Sequence, residues 1–193
     1  MTFVKKIIIL LFIVLFGRIG GLSEAFAEEL MTLPEALRAI FPQASQIVPD
    51  TLRLTKEQIE KIETQAQIGR DFFLEQGYNV HVAQNDSAEP LGYAFEDTVK
   101  GKWGPIHYLV GIDPAGKVIK VIVLSYQERR GRPTAKPRFL KQFIDKTVKD
   151  PLQLRKDING ISGATVSSQA ITDGVRKLLF IFEEFYENSS NQR

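Results

Sequence analysis

The chain has 193 residues, 44% hydrophobic and 25% charged, proportions that suit one globular domain with some chain to spare. It has no cysteine, which excludes a disulfide framework, an iron–sulfur cluster, a thiolate zinc site, a C-x-x-C-H haem and an acylated lipoprotein N-terminus. Its two histidines, His81 and His107, argue against a histidine-rich metal site.

At the N-terminus, Lys5 and Lys6 precede an apolar run over 7–16, and Ala25-Phe26-Ala27 follows. This is the layout of a secretory signal peptide cut after Ala27, with Arg18 as an interruption. The run is shorter than the roughly 20 residues that span a bilayer. An uncleaved anchor extended through 19–22 is the alternative. Removing residues 1–27 takes away Lys5, Lys6, Arg18 and Glu24 and leaves 22 side chains of each sign. That balance, with no basic face carrying interleaved aromatics, argues against nucleic-acid binding.

The remaining chain divides into a helical segment over 28–75 and a domain over 76–193. Thr32-Leu-Pro-Glu35 is a capping box with proline in the first turn, and it opens a helix to about Ile40. Pro42 and Pro49 punctuate. Thr55-Lys-Glu-Gln58 is a second capping box. Ile59, Ile62 and Ala66 follow at helical spacing, predicting a helix to about Phe73 that Gly77 ends. From Tyr78 the period becomes two. Strands are predicted over 79–84, 91–99, 106–112 and 117–126. Asp113-Pro-Ala-Gly116 joins the last two, proline presetting φ and glycine supplying positive φ. The run of β-branched and apolar residues over 118–124 predicts a strand buried on both faces. A basic loop over 127–138 leads to a short helix over 138–146. From Ser167 or Ser168 to Glu187, Ile171, Val175, Leu178, Leu179, Phe182, Phe185 and Tyr186 share a stripe. Thr172, Asp173, Arg176 and Lys177 fall away from it, giving an amphipathic helix on a sheet. Phe180 lies on its far side, where the N-terminal helices can cover it. The fold class is α+β, a twisted antiparallel sheet with a long C-terminal amphipathic helix and short N-terminal helices.

The segment Asp157-Ile-Asn-Gly-Ile-Ser-Gly-Ala-Thr-Val-Ser-Ser168 is where chemistry concentrates. A helix N-terminus attracts anions, Gly163 lets the backbone come close to a ligand, Ala164 keeps the approach clear, and Thr165 supplies a hydroxyl. Ser167 and Ser168 can cap the helix or bond a phosphate. An ordinary loop-to-helix turn fits the same features. Gly160-Ile-Ser162-Gly-Ala164 approaches a nucleophile elbow, but no histidine follows it and no strand precedes it. No Walker lysine is in order either.

The run from Asn159 to Arg176, Asn-Gly-Ile-Ser-Gly-Ala-Thr-Val-Ser-Ser-Gln-Ala-Ile-Thr-Asp-Gly-Val-Arg, resembles the FMN-binding domain of two kinds of complex subunit. These are the G subunit of Rnf complexes and the C subunit of the sodium-pumping NADH:quinone reductase. Small exported stand-alone proteins share that domain. The resemblance is specific around Ser-Gly-Ala-Thr165. It is looser over 91–143, where Gly-Tyr-Ala-Phe-Glu96, Val-Gly-Ile-Asp-Pro-Ala-Gly116 and the stretch from Glu128 to Phe-Leu-Lys-Gln-Phe143 fit. It is faint over the N-terminal helices.

The resemblance implies FMN held as a phosphoester on Thr165, installed by a Mg²⁺-dependent flavin transferase that reads Asn159, Gly163, Ala164 and Thr165. The family's acid falls on Asn159, a departure that makes tight non-covalent FMN the fallback. Ser162, Ser167 and Ser168 would surround the cofactor. The basic loop, with Glu128 and Arg130, would supply a cation near the flavin or meet an acidic redox partner. Tyr126 and Trp103 are aromatic candidates for stacking, with a place in the core as the plainer reading. The implied function is electron transfer between membrane or periplasmic redox partners, with no catalytic residue and little turnover alone. A binding or sensory module that holds flavin or another phosphate ligand loosely is the rival from a different class. A structural accessory is a third reading.

Overall fold

The computed structural model describes residues 28–73, 77–126 and 132–187. The expected signal peptide and the loop residues Glu128 and Arg130 lie outside these described residues. In chain order the elements are β1 (Glu28–Glu29), α1 (Leu33–Ile40), β2 (Gln46–Leu52), α2 (Lys56–Ala66), β3 (Tyr78–Gln84), β4 (Pro90–Lys100), β5 (Pro105–Ile112), β6 (Val118–Tyr126), α3 (Pro137–Leu140) and α4 (Thr165–Phe182). Tight helical turns over Arg70–Phe72 and Lys141–Phe143 follow α2 and α3, and α4 runs on into a widened turn at Glu183–Glu187.

The strands form one antiparallel sheet in the order β1-β6-β5-β4-β3-β2. The four expected strands are all present, and the Asp113 turn closes as its chemistry requires. The Asp113 N–H donates to the Lys117 carbonyl at 2.8 Å, and the Asp113 carboxylate accepts from the N–H groups of Ala115 and Lys117 at 2.9 Å each. Gly116 takes φ +80°. The two edge strands come from residues where no strand is expected. In β2, Pro49 sits opposite His81, and a proline is tolerated because this strand lies at the sheet edge. β1 is two residues long and pairs with the end of β6.

Each face of the sheet carries its own apolar core. On one face α1 packs Ala36, Leu37 and Ile40 against Ala83, Ala94, Leu109 and Leu124. On the other, α4 packs Ile171, Val175, Leu178 and Phe182 against Phe95, Val99, Tyr108 and Val110. A fully buried Val, Leu, Ile or Phe among these contributes roughly 1.5–3 kcal/mol. β6 is therefore covered from both sides, as its composition indicates.

Three helix expectations need correction. The short helix expected over 138–146 is α3 at Pro137–Leu140 with the tight turn Lys141–Phe143, and it stops at Phe143. α2 ends at Ala66 rather than Phe73, because Gln67 turns into the left-handed region at φ 51°. Its reciprocal capping box forms: the Gln58 N–H donates to the Thr55 hydroxyl at 3.2 Å, and the Thr55 N–H donates to the Gln58 side chain at 2.9 Å. α4 begins at Thr165, and its polar side is not solvated. Thr172, Asp173, Arg176 and Lys177 are all buried, because α2 and the chain after it form a second layer over α4. Phe180 is half-buried and packs against the same core.

These buried polar groups are paired. Lys177, with no exposed surface, lies 2.8 Å from the Asp97 carboxylate and donates to the Phe72 carbonyl at 2.6 Å. The Tyr108 hydroxyl donates to the same carboxylate. Arg176 donates to the carbonyls of Ala66 and Leu152 at 2.7 Å each and to Asp173 at 2.8 Å. Residues 28–73 are thus joined to the rest of the fold by strand pairing at both sheet edges and by cations of α4. Gly174 lets α4 approach the sheet, since a Cβ there would lie 2.1 Å from the Tyr108 hydroxyl oxygen.

Candidate functional site

The loop before α4 is held by side chains from outside its crest. Asp157 accepts from the N–H groups of Leu152 at 3.1 Å and Gln153 at 2.9 Å, and pairs with Lys146 at 3.0 Å. Burial pushes the Asp157 carboxyl upward, but these donors outweigh it and hold the group below the usual carboxylate range. Lys146 is raised above its ordinary value, chiefly by the hydrogen bond to Asp157. Asp157 therefore fixes the base of the loop.

Further along, both backbone polar groups of Asn159 meet one side chain. The Asn159 N–H donates to Gln142 Oε1 at 2.8 Å, and Gln142 Nε2 donates to the Asn159 carbonyl at 3.1 Å. The Ile161 N–H donates to Ser168 Oγ at 3.1 Å, and that hydroxyl donates to the Ala164 carbonyl at 2.9 Å. Ser168 is fully buried, so its hydroxyl braces the loop from within and does not face a ligand. Ser167 is buried as well.

What the loop presents outward is Ser162, Gly163 and Thr165, all exposed. Gly163 has φ +80°, and a Cβ added to it would meet no atom within 4 Å. The backbone is thus bare on its outer side. Ala164 is the residue before the helix and provides no side-chain cap. The first N–H groups of an α-helix have no partner within the helix and carry the positive end of its dipole. Thr165 opens a helix of 18 residues, with its hydroxyl at that end.

A cleft of about 710 Å³ opens beside the loop, between Asn159, Gly160, Ile161 and Ser162 on one wall and Lys136, Arg138, Phe139 and Gln142 on the other. A shallower depression of about 380 Å³ on the loop's other flank includes Arg155 and Thr165. The larger volume lies within the range of small-molecule sites. One wall offers two exposed cations, Lys136 and Arg138, and the other is the loop over 159–162 that leads to the bare Gly163. A phosphate-bearing ligand fits these donors, since exposed cations and helix N–H groups favour an anion.

The aromatic candidates fall elsewhere. Trp103 is not on a strand: it lies in the turn between β4 and β5, is 60% exposed, and has Lys102 Nζ 5.1 Å from its ring centre. Tyr126 is buried at the end of β6 as part of the core.

Another constellation escaped sequence reasoning. His81, Glu96 and His107 lie on the adjacent strands β3, β4 and β5, on the sheet face that α1 partly covers. Glu96 lies between both histidines, with His81 Nε2 at 2.7 Å from one carboxylate oxygen and His107 Nε2 at 3.3 Å from the other. The hydrogen bonds from His107 and then His81 pull the Glu96 carboxyl down to about 2. The alternation of each strand was the only signal that these three share a face, and the register was needed to read it.

With that geometry in place, comparison with known proteins is informative. Residues 101–179 match the family model described as the FMN-binding domain. The chain is 32% identical over 139 residues to the G subunit of the proton-translocating ferredoxin:NAD(+) oxidoreductase complex of Clostridium ljungdahlii, over 68% of this chain and 70% of that one. Two solved structures share the fold. NqrC of Shewanella oneidensis has a TM-score of 0.52 at 15% identity, covering 81% of this chain and 89% of that one. The C subunit of the Na(+)-translocating NADH-quinone reductase of Parabacteroides distasonis has a TM-score of 0.51 at 19% identity, covering 81% and 84%.

Proposed function

The chain belongs to the family of FMN-binding domains, and from that premise we propose that it is an extracytoplasmic electron carrier whose FMN is tied to Thr165 as a phosphoester. The observation that carries this reading is the exposed Thr165 hydroxyl at the uncapped start of an 18-residue helix, beside bare backbone at Gly163, with an open cleft on the other flank of the same loop. Bound FMN supplies reversible one- or two-electron chemistry that no side chain of this cysteine-free chain offers.

The chain's own residues set the surroundings. The N–H groups at the start of α4 would hold the phosphate and offset its charge. Lys136 and Arg138 place positive charge along the cleft, which favours the bound state that carries more negative charge. Ile161, half-buried, gives the loop wall of the cleft an apolar group, and Phe139 anchors the other wall in the core. Lys146 and Asp157 keep the base of the loop fixed.

Attachment is the work of a Mg²⁺-dependent flavin transferase acting on the exposed segment from Asn159 to Thr165. With a flavin dinucleotide as the donor, the Thr165 Oγ–phosphorus bond would form as the phosphoanhydride bond breaks, the nucleoside monophosphate would leave, and the threonine proton would pass to solvent. A covalent tether suits an exported protein, which leaves the cytoplasmic flavin pool behind, and the partners are redox proteins at the membrane or in the periplasm. Asn159 in the place of the family's acid favours one other reading, in which FMN sits in the same cleft without the ester. The two separate on a denaturing gel of protein co-expressed with a transferase and exported. Flavin fluorescence that stays with the wild-type band and is absent from Thr165→Ala supports the ester. Fluorescence retained by Thr165→Ala overturns the assignment of Thr165.

A further inference from the structure

We propose that Gln142 is a positioning residue for the flavin: its side-chain amide fixes the loop that carries Thr165 against the opposite wall of the cleft. The inference rests on the reading of Thr165 as the attachment point. Gln142 stands on the wall formed by α3 and the turn that follows it, and Asn159 stands on the other wall, 17 residues later in the chain. The amide accepts the Asn159 N–H at 2.8 Å and donates to the Asn159 carbonyl at 3.1 Å, so one side chain pairs with a backbone position as a neighbouring strand would. Its Nε2 also donates to the Phe139 carbonyl at 3.3 Å, which orients the amide from its own wall. Only an amide side chain offers a donor and an acceptor side by side for this purpose.

Asn159 and Gly160 are exposed, so water could satisfy their backbone groups without any protein partner. Neighbouring positions are fixed by other means: Ile158 bridges to Leu154, and Ile161 is held by Ser168. Among the described residues, Asn159 is fixed by Gln142 through both of its backbone groups. The clamp thus sets the distance between the cations Lys136 and Arg138 and the loop that ends in Thr165. Releasing it lets the cleft widen, so a group tethered to Thr165 gains freedom and loses a constant distance to those cations. The transferase reads the exposed segment itself, so attachment does not depend on the clamp.

The test compares wild type, Gln142→Ala and Gln142→Glu, each co-expressed with a flavin transferase. Intact mass gives the attached fraction, flavin fluorescence anisotropy gives its mobility, and hydrogen exchange gives the protection of the Asn159 amide. Gln142→Ala is expected to keep the attached fraction, lower the anisotropy, and speed exchange at Asn159 about tenfold, the factor that the net free energy of one hydrogen bond corresponds to. Gln142→Glu still accepts the Asn159 N–H but sets its second carboxylate oxygen against the Asn159 and Phe139 carbonyls, so it is expected to lose protection at Asn159 as Gln142→Ala does while the amides of α4 keep theirs, which a general loosening of the fold would not allow. Unchanged anisotropy in Gln142→Ala, with flavin attached to every variant, overturns the positioning role alone. A wild type that takes no flavin overturns the reading of Thr165, and the proposal with it.

Discussion

Replacing Lys177 by methionine should show how strongly the N-terminal segment and the long helix depend on each other. Lys177 and Asp97 are both without exposed side-chain surface and 2.8 Å apart. Burial pushes the lysine below its ordinary pKa, and its attraction to Asp97 works against that shift. Methionine fills much the same space but leaves the Asp97 carboxylate buried with the Tyr108 hydroxyl as its remaining donor among the described residues. Breaking a buried pair on one side costs about 3–5 kcal/mol. A domain of this kind has roughly 5–15 kcal/mol to lose, so the single variant should approach its unfolding threshold at ambient temperature.

Replacing both partners, as Lys177→Met with Asp97→Leu, removes the uncompensated charge. What then remains is the Tyr108 hydroxyl and the Phe72 carbonyl, each without its former partner, at about 1–3 kcal/mol apiece at most. The assay is urea unfolding followed by circular dichroism, arranged as a double-mutant cycle. The double variant should be more stable than Lys177→Met. A Lys177→Met loss below about 1 kcal/mol, or a double variant as unstable as the sum of the singles, would refute the reasoning.

The remaining predictions concern packing, acid stability and attachment. Gly174→Ala places a methyl 2.1 Å from the Tyr108 hydroxyl oxygen and 3.0 Å from Val99, and should lower stability by about 1–3 kcal/mol in the same unfolding assay. Adding Tyr108→Phe should recover part of that loss, and no recovery would place the clash elsewhere. Glu96 has a folded pKa of about 2 against an ordinary 4.5, so its contribution is present above pH 4.5 and is lost as pH falls toward 2. The wild type should therefore lose stability across that window more steeply than Glu96→Gln, and parallel acid-unfolding curves would count against the two histidine bonds. Asn159→Asp places an acid where the family resemblance expects one, at an exposed position, and should raise the fraction of chains carrying covalent flavin, read by mass. An unchanged fraction would mean that the asparagine is accepted as it stands.

The sheet was legible because β3 to β6 are local. Each alternates in its own sequence, and the Asp113-Pro-Ala-Gly116 turn names its own geometry. Both capping boxes marked helix starts for the same reason. What stayed hidden was decided by partners far along the chain. Pro49 reads as a breaker until β2 is known to be an edge strand. Asp173, Arg176 and Lys177 read as a solvated helix face until α2 covers them, and periodicity cannot report a second layer. At the site, the motif over 162–165 was visible as sequence, and its exposure at a helix start follows from local rules. The hold of Gln142 on Asn159 and the bracket of His81 and His107 around Glu96 were not visible. Each joins side chains that only the register and the loop path bring together.

The account rests on a threonine hydroxyl that carries FMN, and the measurement that addresses it most directly is the intact mass of the denatured protein. The protein is co-expressed with a flavin transferase, exported and digested to locate any added mass. The account predicts a gain of one FMN less one water, confined to the peptide that contains Thr165. An unmodified mass, whether the native protein is yellow or colourless, would contradict it.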